Sequence, residues 1–87
     1  MPEFVVVSRL LVDRERLTPF RNSHQAYMAK LKAEGKLRMA GRFTDGRGGM
    51  YILFADGLPA AKKLADGDPY HSNGLREYEL REWEQRY

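Results

Sequence analysis

Residues 36–55, KLRMAGRFTDGRGGMYILFA, decide the fold. In KLRMAGRF, Leu37, Met39, Gly41 and Phe43 alternate and fall on one face of a strand. TDGRGG supplies the Gly and Asp that tolerate positive φ, so it reads as a hairpin connection. MYILFA is apolar on both faces and reads as a third strand. An antiparallel hairpin therefore occupies the middle of the chain, and the flanking segments decide what packs on it.

Upstream, FVVVSRLLV (residues 4–12) is β-branched and apolar on both faces, the pattern of a central first strand. Thr18-Pro19 predicts a helix start, with Thr18 as N-cap and Pro19 in the first turn, and the helix runs to about Glu34. Gly35 supplies its left-handed end. Downstream, DGLPAAKKLADG (56–67) predicts a short second helix ended by Gly67, and DPYHSNG (68–74) a polar loop. LREYELREW (75–83) reads as the last strand, with Tyr78 and Leu80 on one face. The order β-α-β-β-α-β predicts an α+β, ferredoxin-like domain: a four-stranded antiparallel sheet with two helices on one face. Strands one and three belong at its centre. Their other face is also apolar, and an uncovered patch of that kind marks an interface. A homodimer packed sheet to sheet is the simplest cover, and two facing sheets can enclose a pocket.

The 87 residues make one domain, 1–87, with 43% hydrophobic and 31% charged residues, an ordinary soluble composition. No apolar run approaches the roughly 18 residues that span a membrane. MPEFVVVSRLLV lacks a basic region ahead of its apolar stretch, so it reads as strand and not as a signal peptide, and the expected location is the cytoplasm. The absence of cysteine excludes disulfides, thiolate metal sites and cysteine nucleophiles. The two histidines have no metal-ligand spacing, and no metal or cofactor is expected. Residues 14–47 hold nine Lys and Arg against three Asp and Glu, whereas residues 66–87 hold three against six. The basic residues are scattered singly apart from Lys62-Lys63, which favours a small anionic ligand over nucleic acid.

His24 sits in the apolar stripe of the first helix, four residues from both Phe20 and Met28. It is either a core histidine tied to a carbonyl or an acid–base group, whose usual pKa near neutrality suits proton transfer. Asp68 opens DPY and is either a turn former or a carboxylate that fixes the imidazole of His24, the logic of a base and its orienter. Arg21 lies one turn before His24 and either holds an anionic substrate group or points to solvent. Arg9 interrupts the first strand and is either paired at the sheet or lines a cavity. Tyr70 and His71 follow Asp68 and either close over a pocket or are solvated. The glycine-rich 41–49 stretch joins two strands and does not open a helix, so it is not a phosphate-binding loop.

RNSHQAYMAKLKAEGKLRMAG (21–41), the glycine-rich hairpin and GDPYHSNGLREYELREW (67–83) together resemble the YCII-related (YciI-like) family. The most specific parts are the R-x-x-H spacing, G-K-L-x-x-A-G and D-P-[YF]-x-x-x-G-L. The resemblance implies a dimeric α/β barrel and an active site built on a histidine and an aspartate, which by motif are His24 and Asp68. One branch of the family is similar to dehydrochlorinases that eliminate HCl from chlorinated hydroxyquinols. The expected function is thus that of a small enzyme doing His/Asp acid–base chemistry (elimination, isomerisation or hydrolysis) on a small polar or aromatic compound. Arg9, Arg21 and Tyr70 are the expected substrate-binding residues. The alternative is a dimer that binds a small ligand without chemistry.

Overall fold

The computed structural model describes residues 1–87. Along the chain run β1 (Glu3–Leu10), a 3-10 segment (Arg14–Phe20), α1 (Arg21–Ala33), β2 (Leu37–Arg42), β3 (Gly48–Phe54), α2 (Leu58–Asp66), α3 (Pro69–Ser72) and β4 (Arg76–Trp83). The four strands form one sheet in the order β2-β3-β1-β4, antiparallel throughout. The ferredoxin-like α+β arrangement stands, with strands one and three at the centre.

The pleat explains the core. Phe4, Val6 and Ser8 of β1 point to one side, level with Leu53, Tyr51 and Gly49 of β3. Met28 and Leu31 of α1 and Ala61 and Ala65 of α2 close over Phe4, Val6, Tyr51 and Leu53. The two alanines let α2 sit close to the sheet. Gly67 serves the contact between α1 and α2: a Cβ there would fall against the Tyr27 hydroxyl, which donates to the Leu64 carbonyl at 2.7 Å.

Three local expectations change. First, Thr18 does not cap α1. The residues before α1 wind into a 3-10 segment, with the Arg21 N–H bonded to the Thr18 carbonyl, and Phe20 takes the cap position. Leu17 draws this segment down, because it is buried with Tyr70 and Leu75 in a second small cluster. Second, β2 does not alternate cleanly. Leu37 pairs with Leu53, but Met39 pairs with the next residue, Ile52, so Arg38 is an extra residue in a bulge. Leu37 therefore faces the core and Met39 the opposite side. Third, DPYHSNG is not a loop throughout: residues 69–72 form α3, capped by Asp68. The end of α1 is as expected, with Gly35 at φ +73° and the N–H groups of Gly35 and Lys36 bonded to the carbonyls of Lys32 and Leu31.

Candidate functional site

Asp68 is the organising group. Its backbone is extended at the junction of α2 and α3, and its carboxylate accepts the Tyr70 N–H at 2.9 Å. Pro69 follows in the first turn, where a missing N–H costs nothing. The Asp68 side chain is only 1% exposed. Its Oδ1 also lies 2.8 Å from His24 Nδ1, and its Oδ2 accepts the Tyr51 hydroxyl at 3.2 Å. Three separate elements, α1, β3 and α3, thus converge on one carboxylate.

His24 enters from the first turn of α1, with its side chain 19% exposed. A carboxylate only accepts, so the proton sits on Nδ1 and Nε2 is the nitrogen with no protein partner. The imidazole stacks on the Tyr70 ring at 4.1 Å between centroids and 13° between planes. It is therefore held by a hydrogen bond in its plane and by a ring against its face, which fixes tautomer and orientation together.

The charge states follow from the surroundings. Burial alone pushes the Asp68 carboxyl up, but the hydrogen bond and charge of His24, with the Tyr70 N–H, outweigh it and hold it below the ordinary carboxylate value. Burial pushes the Tyr51 hydroxyl far up, and the negative charge of Asp68 adds to this. Tyr51 is accordingly a donor to Asp68 and not a base. Burial also pulls the Arg76 guanidinium below its usual value, with Tyr70, Asp68 and Tyr51 opposing the shift.

His24 opens on a pocket of about 670 Å³, within the ordinary size of small-molecule sites. The pocket lies on the helix-covered side of the sheet, at the hairpin end, and not between two sheets. Its wall carries Arg14, Arg21, Arg42 and Arg76 as well as Tyr51 and Tyr70. The structure brings together His24, Asp68, Arg21 and Tyr70 of the expected residues. Arg9 is not among them. It follows Ser8 on β1, so it points to the opposite face, where it pairs with Glu77. His71 also turns away: its Nδ1 donates to the Ala65 carbonyl at 2.7 Å, and its ring packs on Tyr78.

Sequence reasoning passed over Tyr51, Arg14, Arg42 and Arg76. Tyr51 lay inside an apolar run with no polar neighbour to single it out. Arg76 had a faint signal, since it directly follows the G-L of the D-P-[YF]-x-x-x-G-L motif. No three His, Asp or Glu side chains gather anywhere as a metal-ligating group.

In structure, the chain is similar to 5-chloro-2-hydroxyhydroquinone dehydrochlorinase (TftG) from Burkholderia phenoliruptrix AC1100, solved in complex with 2,5-dihydroxybenzoquinone. The TM-score is 0.83 and the match covers 97% of this chain and 95% of that one, at 20% identity, which speaks to the fold. In sequence, it is 37% identical over 60 residues to the uncharacterized protein YjpA of Bacillus subtilis (strain 168), covering 69% of this chain and 71% of that protein. The model of the YCII-related domain matches residues 4–84, nearly the whole of the pocket-bearing fold, and the chain belongs to that family.

Proposed function

We propose that this protein is a small cytoplasmic enzyme in which His24 moves a proton and Asp68 orients it, acting on a small polar or aromatic compound. The observation that carries this reading is the 2.8 Å His24–Asp68 contact beside an Nε2 that no protein group occupies. Asp68 fixes the tautomer and favours the imidazolium that forms when Nε2 takes a proton. Tyr51 and the Tyr70 N–H hold the carboxylate still while this happens. In an elimination, Nε2 would remove a proton from carbon as the leaving group departs with its electron pair. The likeness to a dehydrochlorinase supports elimination as the first reaction class to try. Isomerisation and hydrolysis need the same base.

The working unit in this reading is a homodimer packed sheet to sheet. Support comes from the face opposite the helices, where Val7, Met39, Met50 and Trp83 are 37–48% exposed. No helix of the chain is long and apolar enough to cross a membrane.

The test is a turnover screen on small chlorinated, hydroxylated and carboxylated compounds, read by mass spectrometry, chloride release and solvent deuterium incorporation. His24→Ala is expected to slow any turnover found by about 10²–10⁴-fold with the fold intact. Undiminished turnover in that variant would remove the proton-transfer role. A compound that binds at His24 and is never transformed would favour the non-catalytic ligand-binding dimer.

A further inference from the structure

Eight of the ten arginines fall into two groups, and Arg16 and Arg47 belong to neither. Arg9, Arg38, Arg81 and Arg86 each lie against a glutamate: Glu77, Glu3, Glu79 and Glu84. The four that line the pocket, Arg14, Arg21, Arg42 and Arg76, have no carboxylate partner. No Asp or Glu lines the pocket, and Asp68 lies behind His24 and Tyr51, engaged by both. Like charges gathered in one concavity repel each other and raise the local potential for an anion.

Arg76 is the most telling of the four. It is half-buried, and its Nε is inaccessible with no hydrogen-bond partner. Its only polar contact is a long one, Nη1 to the Ser8 hydroxyl at 3.4 Å. The guanidinium carbon lies 4.6 Å from the centre of the Tyr70 ring, the same ring that holds His24. A guanidinium has five donors in a planar fork, so most of its capacity is unused here. With Nε inaccessible, the Nη edge is the part of the guanidinium left to meet a ligand in the pocket. The backbone also makes room at Arg14: a Cβ at Gly46, whose φ is +77°, would come within 2.8 Å of its guanidinium. At Gly49 the nearest obstacle to a Cβ is the Gly41 carbonyl at 2.5 Å, a close approach of the hairpin strands.

We propose that the pocket takes a small organic acid with at least two acidic groups, one of them planar and seated on the fork of Arg76 beside His24, the other met by Arg14, Arg21 or Arg42. This deepens the reading of His24 as the working group and rests on it. Two groups follow from the distribution of charge: one anion on Arg76 leaves three exposed guanidiniums uncompensated.

The experiment is calorimetric titration of the intact protein, which needs no turnover. The probes are the benzene-1,2-, 1,3- and 1,4-dicarboxylates, benzoate, the matching dicarboxamides and inorganic phosphate, each at two salt concentrations. At least one dicarboxylate is expected to bind about tenfold or more tightly than its diamide and than benzoate, and to weaken as salt rises. Arg76→Gln is expected to reduce that affinity by about tenfold or more, Arg76→Lys by less, since it keeps the charge without the fork. Arg86→Gln, at an ion pair remote from the pocket, should change nothing. Equal binding of diacid and diamide, preference for inorganic phosphate alone, or unchanged affinity in both Arg76 variants would overturn the proposal. Tighter binding of a single-stranded oligonucleotide than of any diacid would do so too. His24→Ala separates the two readings: diacid binding that survives it, with turnover lost, supports both, and diacid binding lost only in the Arg76 variants supports this one whatever becomes of catalysis.

Discussion

The two faces of the sheet are built from the same strands to opposite effect. On the helix-covered face, Phe4, Val6 and Leu53 are fully enclosed, and beyond them the same face opens into a pocket edged with arginine. On the other face, Val7 and Met50 pair across the sheet and remain 39% and 37% exposed. The first face holds its shape within one chain, which supplies three hydrogen bonds to the Asp68 carboxylate, from His24, the Tyr51 hydroxyl and the Tyr70 N–H. The second face has apolar surface and no cover of its own. One strand can therefore bury alternate residues, such as Phe4 and Val6, and leave Val7 on the other side open, because the side-chain period is two.

The sharpest way to break this division is a charge on the open face. Val7→Asp would bury an unpaired carboxylate on each protomer of a sheet-to-sheet dimer. Association is expected to be lost outright, halving the mass in sedimentation while the circular dichroism spectrum is kept. A wild-type protein that sediments as a monomer would remove the dimer itself. On the enclosed face, Phe4→Ala is expected to lower unfolding free energy by about 3–5 kcal/mol in denaturant titrations, since it leaves a cavity in a packed core. Asp68→Asn should have a smaller effect, about 1–3 kcal/mol at neutral pH, as it removes a buried charged acceptor but keeps a residue that can cap α3. The sign with pH is fixed by the lowered pKa of Asp68. Its stabilisation is complete above the unfolded-chain value, about 3.9, and is lost as pH falls through the lower folded value. Wild type and Asp68→Asn should therefore converge in stability as the solution is acidified below about pH 4, and parallel curves down to pH 2 would show that the charge is not what matters.

Two X-Pro steps show how much of this was legible. Thr18-Pro19 carries a strong helix-start signal, yet it forms part of a 3-10 segment, because the burial of Leu17 against Tyr70 and Leu75 sets that stretch of chain. Asp68-Pro69 carries the same signal and reads as a turn, yet it is the true cap, because the four residues after it bury Tyr70. Local chemistry was equal at the two places, and packing decided between them. The sheet order was legible because apolar surface on both faces marks a central strand. The bulge at Arg38 was not, since an extra residue leaves no mark in an alternating pattern until its partner strand is in place. The residues by themselves left His24 open as a core histidine and Asp68 as a turn former, and it was the resemblance to the YCII-related family that implied the pair. Arg9 and Arg76 were equally plain in the sequence, and only the strand pleat sends one to Glu77 and the other beneath the pocket.

Asp68 Oδ1 accepts both the Tyr70 N–H that winds α3 and the Nδ1–H that aims His24. The His24 imidazole and a four-residue helix are thus fastened at a single atom. A fluctuation that unwinds α3 also frees the imidazole to rotate and withdraws the Tyr70 ring it leans on. Hydrogen exchange at Tyr70 and the chemical shift of the His24 ring would then report one and the same opening event, and the lifetime of the competent site would equal that of the shortest helix in the molecule.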